Sequence, residues 1–361
     1  MYLKKINLTN FRNYKNENIE FINGINLFVG NNAQGKTNII EAIYLSAFAK
    51  SYRTIKDVEM IMFNKDYLKV DLEYIKKDIS IIQNTYIDKL NKKQIKIDEV
   101  KIKKSSDVIG NIPLVIFSPD DLEIIKGTGT SRRKFVDMIC CQLSKSYLIN
   151  FSEYNKILKT KNSLLKKDLK KEDKEYLFVL NEKLAEYIIK IIPFRKKVIC
   201  ELLKYSKTII NQLTENKESL DINYITEFEN KNKDEVIHIL NRVLEYEILR
   251  KTSLKGISKD VIDININSRE INKYGSQGQK RTVLLVLKLA SFEIIKEILN
   301  DNPILLLDDI MSELDSYRVK FLLEYIKNYQ VIITTTEFTE KINIENIKIK
   351  KIINGTCNIM Q

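Results

Sequence analysis

The sequence predicts an α/β fold divided between the two ends of the chain, with a mainly helical lobe inserted between the halves. Three patterns carry that prediction. Short alternating apolar runs fill roughly the first hundred residues, charged segments with apolar residues three and four apart run from about 131 to 250, and strand-helix alternation returns after Gly256.

In the first part, residues 2–8, 18–21 and 25–29 are apolar runs separated by polar turns, and they read as strands. Residues 67–74 alternate at period two and 78–82 follow, which places a mixed or antiparallel sheet there. In the middle, Leu177, Leu180, Leu184, Tyr187, Ile188 and Ile191 share one helical face. The last part offers a strand at 261–266, a helix at 280–299, a buried strand at 304–307, a helix at 316–328 and a strand at 331–333. The expected units are therefore 1–118 and 256–361 as two halves of one head, with 119–255 as the inserted lobe. Ten Gly and four Pro leave no flexible linker between them.

Composition narrows the setting. Four cysteines (Cys140, Cys141, Cys200, Cys357) form no CxxC pair and have no companion histidine, which speaks against a zinc site or a disulfide framework and for a reducing, cytoplasmic location. The N-terminal residues turn polar too early for a signal peptide, and no apolar run reaches the roughly 18 residues of a membrane helix. A net charge of +12 is compatible with a polyanionic partner. Only ten of the 60 basic residues are Arg, however, and a genome biased toward Lys, Ile and Asn gives the same charge.

Gly30-Asn31-Asn32-Ala33-Gln34-Gly35-Lys36-Thr37 fits G-x-x-x-x-G-K-[ST] at every fixed position, with a strand before it and the apolar helix of Ile39, Ile40, Ile43 and Leu45 after it. The backbone N–H groups of such a loop wrap phosphates and the helix N-terminus adds partial positive charge. Lys36 is expected at the β- and γ-phosphates of ATP, the Thr37 hydroxyl on Mg2+, and Asn38 beside them. Residues 304–307 end in Asp308-Asp309. Asp308 is the candidate metal acid and Asp309 the candidate for orienting the attacking water, one methylene shorter than the glutamate that many ATPases with this layout carry. Lys36 and Asp309 are thus the catalytic candidates.

Gly275-Ser276-Gln277-Gly278-Gln279, followed at once by an apolar helix, looks like an ABC-type signature, with Ser276, Gly278 and Gln279 as ligands to a nucleotide held by a second subunit. Ser312-Glu313-Leu314-Asp315 matches the dimer-contacting loop of that class, and Thr334-Thr335-Thr336 stands in the switch position. The expected architecture is an ABC-type P-loop ATPase head with an inserted helical lobe. A transporter subunit would carry a switch histidine, but the single histidine, His238, lies elsewhere. A structural tether would need a long run of heptads in the insertion, which it lacks. A fused nuclease would need an acidic metal-binding domain, for which no residues are left over.

Leu8-Thr9-Asn10-Phe11-Arg12-Asn13-Tyr14, Gly30 through Asn38 with Glu41-Ala42-Ile43, Lys50-Ser51-Tyr52-Arg53-Thr54, Phe117-Ser118-Pro119-Asp120-Asp121-Leu122 and Gly275 through Arg281 together resemble the RecF family. The resemblance implies an SMC-like ATPase that dimerises on ATP, binds double-stranded DNA, and works with RecO and RecR to load recombinase at gaps. Two departures stand out: the family's G-P-H-R-D-D loop reads Gly256-Ile257-Ser258-Lys259-Asp260-Val261 here, and Tyr52 replaces a usual histidine. Arg53 carries over as a phosphate or DNA sensor. Arg195-Lys196-Lys197 is the purest basic patch and the candidate DNA contact. Arg132-Arg133-Lys134 reads either as a phosphate contact or as the counter-charge of Asp120-Asp121.

Overall fold

The structure, a computed structural model, describes residues 1–336 and 346–359. It divides into two compact units, Met1–Asp121 with Ser291–Gln361, and Leu122–Ala290. Sequence reasoning set the second boundary at 255/256. The division falls at Ala290/Ser291 instead, so the 275–279 turn belongs to the second unit and the helix Gln277–Leu299 runs through the boundary.

The first unit holds two six-stranded sheets. One is antiparallel, in the order Tyr14–Glu20, Tyr2–Phe11, Tyr67–Lys76, Ile79–Asp88, Lys93–Ile97 and Val100–Lys101. Its tight turns put paired residues at positive φ, Lys77 and Asp78 (50° and 62°) and Asp98 and Glu99 (46° and 65°), as the twist of a two-residue hairpin loop requires. The other sheet runs Thr356–Ile359, Ile347–Ile353, Ile25–Val29, Val331–Thr335, Ile304–Asp308 and Leu114–Phe117. All its neighbours are parallel except the hairpin formed by the first two.

Parallel strands buried on both faces read as continuous apolar runs, which is why Ile304–Asp308 and Val331–Thr335 are buried at every position. The helix Lys36–Phe48 packs against strands of both sheets. It is apolar nearly all round, and only Thr37 and Asn38, at its start, escape full burial. That burial fixes the helix, and its start is where the G-x-x-x-x-G-K-[ST] motif places its polar residues.

The second unit is mainly helical: Gly129–Leu143, Lys145–Leu165, the 44-residue Lys171–Thr214, Lys233–Arg242 and Leu244–Arg250. Of the predicted helical stripe, Leu177, Leu180, Leu184, Ile188 and Ile191 are buried and Tyr187 is half-buried. A three-stranded antiparallel sheet of Arg269–Glu270, Val261–Ile266 and Leu220–Ile225 accompanies them; the last strand lies inside the lobe expected to be mainly helical. Among the described residues no helix is long and apolar enough to cross a membrane.

Candidate nucleotide site

The loop from Gly30 to Gly35 joins the central strand Ile25–Val29 to the buried helix Lys36–Phe48. Gly30 is obligatory because a Cβ there would lie 2.5 Å from the Ile352 carbonyl oxygen of the neighbouring strand. Asn31, Asn32 and Ala33 are exposed, and Ala33 adopts φ 64°. The loop is braced from outside. Asn13 Nδ2 donates to the Gln34 carbonyl (2.8 Å), Tyr14 Oη donates to the Gly35 carbonyl (3.0 Å), and Asn38 Nδ2 donates to Asn13 Oδ1 (2.8 Å). From the C-terminal hairpin, Asn354 N donates to Gln34 Oε1 (2.6 Å) and Gly355 N to the Gln34 carbonyl (3.1 Å).

Lys36 is 7% exposed and donates to the carbonyls of Gly30 (2.6 Å) and Asn31 (2.9 Å), so its ammonium is held against the loop. Burial pulls its pKa down, while Asp309 and Asp308 act in the opposite direction. Asp308, 4% exposed at the end of its strand, is the hub of the site. Its Oδ1 accepts from the Thr37 hydroxyl (2.9 Å) and the Thr334 hydroxyl (2.9 Å), and its Oδ2 accepts from Tyr52 Oη (2.8 Å). The sequence pairing of Thr37 with Asp308 is thus a direct contact, and Thr334, the first of the three threonines expected at the switch position, touches the same acid.

Asp309 follows in the left-handed region, φ 54°, a strained setting that an aspartate tolerates better than most residues. Its backbone N–H donates to the Thr334 hydroxyl (3.1 Å). Its Oδ1 is buried without a hydrogen-bond partner. Burial pushes its carboxyl pKa up, and Lys36 opposes the shift. An orphaned carboxylate oxygen beside a hydroxyl, a second carboxylate and an ammonium is a donor set of hard oxygens that suits Mg2+ and a phosphate chain.

The turn at 275–279 is built as a capping box. Gln279 N donates to Ser276 Oγ (3.1 Å) and Ser276 N donates to Gln279 Oε1 (2.9 Å), while Gln279 Nε2 reaches Glu218 Oε1 (2.9 Å). Ser276 and Gln277 are exposed and Gly278 is partly so. In the loop after Asp309, Ser312 Oγ donates to the Asp309 carbonyl (2.7 Å), and Asp315 caps the next helix by accepting from Arg318 N (2.9 Å).

The basic candidates separate. Arg53 lies beside the nucleotide loop, its Nη1 donating to Asn38 Oδ1 (2.8 Å) and Glu41 Oε2 (3.2 Å). Glu41, fully buried, also takes a two-pronged ion pair from Arg12 (2.9 and 2.6 Å). Arg195 is not a DNA contact. It is 1% exposed, forks onto Asp137 (2.8 and 2.9 Å), and donates to Asp260 Oδ2 (3.1 Å) and the Ile257 carbonyl (2.9 Å). A guanidinium committed to two buried carboxylates has nothing left for phosphate. Lys196 and Lys197 are exposed, and Lys196 pairs with Glu229. Arg132 is buried on the carbonyls of Ile124, Ile125 and Ile262 (3.2, 3.3 and 3.0 Å). Arg133 donates to the Asp260 carbonyl (2.8 Å). The altered loop 256–260 is therefore pinned from within by Arg195 and Arg133.

Sequence reasoning missed the braces on the loop: Asn13, Tyr14 and the 354–355 turn. The hairpin was within reach, because Asn354-Gly355 between apolar runs is a strong short-range hairpin signal, and both residues have positive φ (48° and 74°).

Fold and site together define an ABC-type P-loop ATPase head of the SMC-like kind. A model of the RecF/RecN/SMC N terminal domain matches residues 2–356. The DNA replication and repair protein RecF of Clostridium perfringens is 42% identical over 359 residues, covering 98% of this chain and 99% of that protein. Its counterpart from Lachnoclostridium phytofermentans is 39% identical over 364 residues, covering 99% of each. A solved structure described as the recombination mediator protein RecF-ATP in the RecFOR pathway superposes with a TM-score of 0.91 at 34% identity, over 100% of this chain and 98% of that one. An Smc head bound to the C-winged helix domain of ScpA, at 18% identity and TM-score 0.59, shares the fold. The chain belongs to the RecF family.

Proposed function

We propose that this chain binds ATP with Mg2+, closes on ATP into a homodimer, and in that state holds double-stranded DNA in the cytoplasm during recombinational repair and replication, loading recombinase at gaps with RecO and RecR. The observation that carries the reading is the cluster of Lys36, Thr37, Asp308 and Asp309 at the end of three adjacent parallel strands. Lys36 turns its ammonium from loop carbonyls toward the β- and γ-phosphates. Mg2+, held by Thr37 and through water by Asp308, would supply neutralising charge. Asp309 accepts a hydrogen bond from the attacking water with its unpartnered oxygen. Its short side chain makes hydrolysis slow, and DNA stimulates it by stabilising the closed dimer.

The dimer reading draws support from Ser276, exposed at a helix N-terminus that already satisfies its own backbone through Gln279. DNA contact is electrostatic and sequence-tolerant, drawing on exposed lysines such as Lys197 and the +12 charge, so affinity for duplex falls steeply with salt.

The test is complementation. Ser276→Arg keeps ATP binding and loses ATP-induced dimerisation; Lys36→Ala loses ATP binding. A mixture of the two offers dimers in which both lesions fall on one composite site and the other site is intact. Light scattering should then recover an ATP-dependent dimer that neither variant forms alone. Loss of ATP binding in Ser276→Arg monomers would mean that the turn serves its own chain, and the dimer reading would be abandoned.

A further inference from the structure

We infer that Tyr52 is a positioning residue for the metal-binding carboxylate, its hydroxyl fixing the plane of Asp308 in the orientation that receives Mg2+ with the nucleotide. The inference rests on the reading above that Thr37 and Asp308 hold the metal.

Rotation about the last bond of an aspartate side chain is soft, so a carboxylate tied at one oxygen still turns. Asp308 is tied at both. Thr37 and Thr334 donate to Oδ1 at 2.9 Å each, and Tyr52 alone among the described side-chain donors reaches Oδ2, at 2.8 Å. The Thr37 hydroxyl is itself a candidate metal ligand. Coordination to a cation uses a lone pair of that oxygen and leaves its O–H free to go on donating to Asp308, so the two threonines hold one oxygen of the carboxylate and Tyr52 holds the other.

The tyrosine is suited to act as a fixed point. Its ring meets Tyr44 edge-on at a centroid distance of 5.2 Å and an angle of 65°. Both flanking residues are tied to the helix that carries Thr37: Ser51 Oγ donates to Glu41 Oε1 (2.5 Å), and Arg53 Nη1 to Asn38 Oδ1 and Glu41 Oε2. The phenol thus has its backbone anchored on the nucleotide-binding helix and its hydroxyl on the acid of the adjacent strand. Asp308, a carboxylate, can only accept, so the phenol hydroxyl is the donor in this bond. Outer-shell partners of this kind, when removed, typically cost about 10–100-fold in metal affinity.

Tyr52→Phe keeps the ring contact and removes only the hydroxyl. The measurement is binding of a fluorescent ATP analogue to the full chain, titrated with Mg2+ and repeated in EDTA, with thermal unfolding of the same metal-free samples. Tyr52→Phe should move the Mg2+ half-point of nucleotide binding up by roughly 10-fold, leaving affinity in EDTA and the metal-free melting temperature close to wild type. A Mg2+ half-point equal to wild type overturns the inference, as does an equal loss with and without Mg2+, which would make Tyr52 a packing residue. A wild-type protein whose nucleotide binding ignores Mg2+ would remove the metal site itself, and the reading on which the inference stands.

Discussion

Arg195→Ala tests whether the basic triplet at 195–197 is one surface or two different things. The wild-type guanidinium makes a two-pronged pair with Asp137, a third contact to Asp260, and a bond to the Ile257 carbonyl. The side chains of Asp137 and Asp260 are only 9% and 2% exposed. Removing the arginine leaves two carboxylates without their shared counter-charge, and breaking a buried pair in this way costs about 3–5 kcal/mol. For a unit of this size each kcal/mol lowers the melting temperature by about 2–4 °C, so the expected drop is about 6–20 °C. Lys197→Ala, at an exposed position, should stay within about 0.5 kcal/mol of wild type. Differential scanning fluorimetry gives the melting temperatures, and fluorescence anisotropy with a labelled duplex, well below both transitions, gives DNA affinity. Arg195→Ala should melt early and bind duplex as wild type does. If it melted normally and bound duplex several-fold more weakly, the assignment of Arg195 to the interior would be wrong.

Lys36→Ala should abolish ATP binding in equilibrium dialysis with little change in melting, because the ammonium contacts only loop carbonyls and neighbouring charge. Asp309→Asn should retain ATP binding and dimerisation and turn over more slowly in a phosphate-release assay; unchanged turnover would remove it as the water-orienting group. Gly355→Ala places a Cβ 2.4 Å from the Asn13 carbonyl oxygen at φ 74° and should cost about 1–3 kcal/mol, with weaker ATP binding, since the displaced turn braces Gln34. Lys350, buried against Phe21 and Phe28, has its pKa pulled down to about 8, so between about pH 8 and its ordinary 10.5 the unfolded chain binds the extra proton and stability rises with pH. The Cys357 thiol, pushed up from 9.0 to about 11, works the other way above about pH 9. The net rise therefore lies between about pH 8 and 9, and Lys350→Met should flatten it in urea titrations across that range.

The candidate nucleotide site was legible as a grouping because its signals are local: one loop and one strand end each keep their own spacing, and the structure brings Thr37 of the first onto Asp308 of the second. What escaped has a common cause, since it depends on partners far away in the chain. Arg195 looked basic beside two lysines, yet it stands four residues after Ile191 and three before Val198, on the apolar stripe of its helix; the period marked it as interior. The strand Leu220–Ile225 alternates Leu, Asp, Ile, Asn and was hidden by the helical segments around it. The second unit boundary was missed because the helix Gln277–Leu299 continues through it without any break in pattern.

The central strand Ile25–Val29 takes both of its sheet neighbours, Val331–Thr335 and Ile347–Ile353, from the far end of the chain. During synthesis it waits, as an apolar segment, until about 300 further residues have been made. At ribosomal rates of about 5–20 residues per second that wait is on the order of tens of seconds. Pairings so distant in sequence also form slowly, since loop closure precedes any contact that repays it. The braces that Asn354 and Gly355 place on Gln34 come from the same distant stretch, so the loop is complete only once the hairpin at 347–359 has formed. A chain truncated before residue 347 would therefore lose one neighbour of the central strand and both backbone braces on Gln34 together.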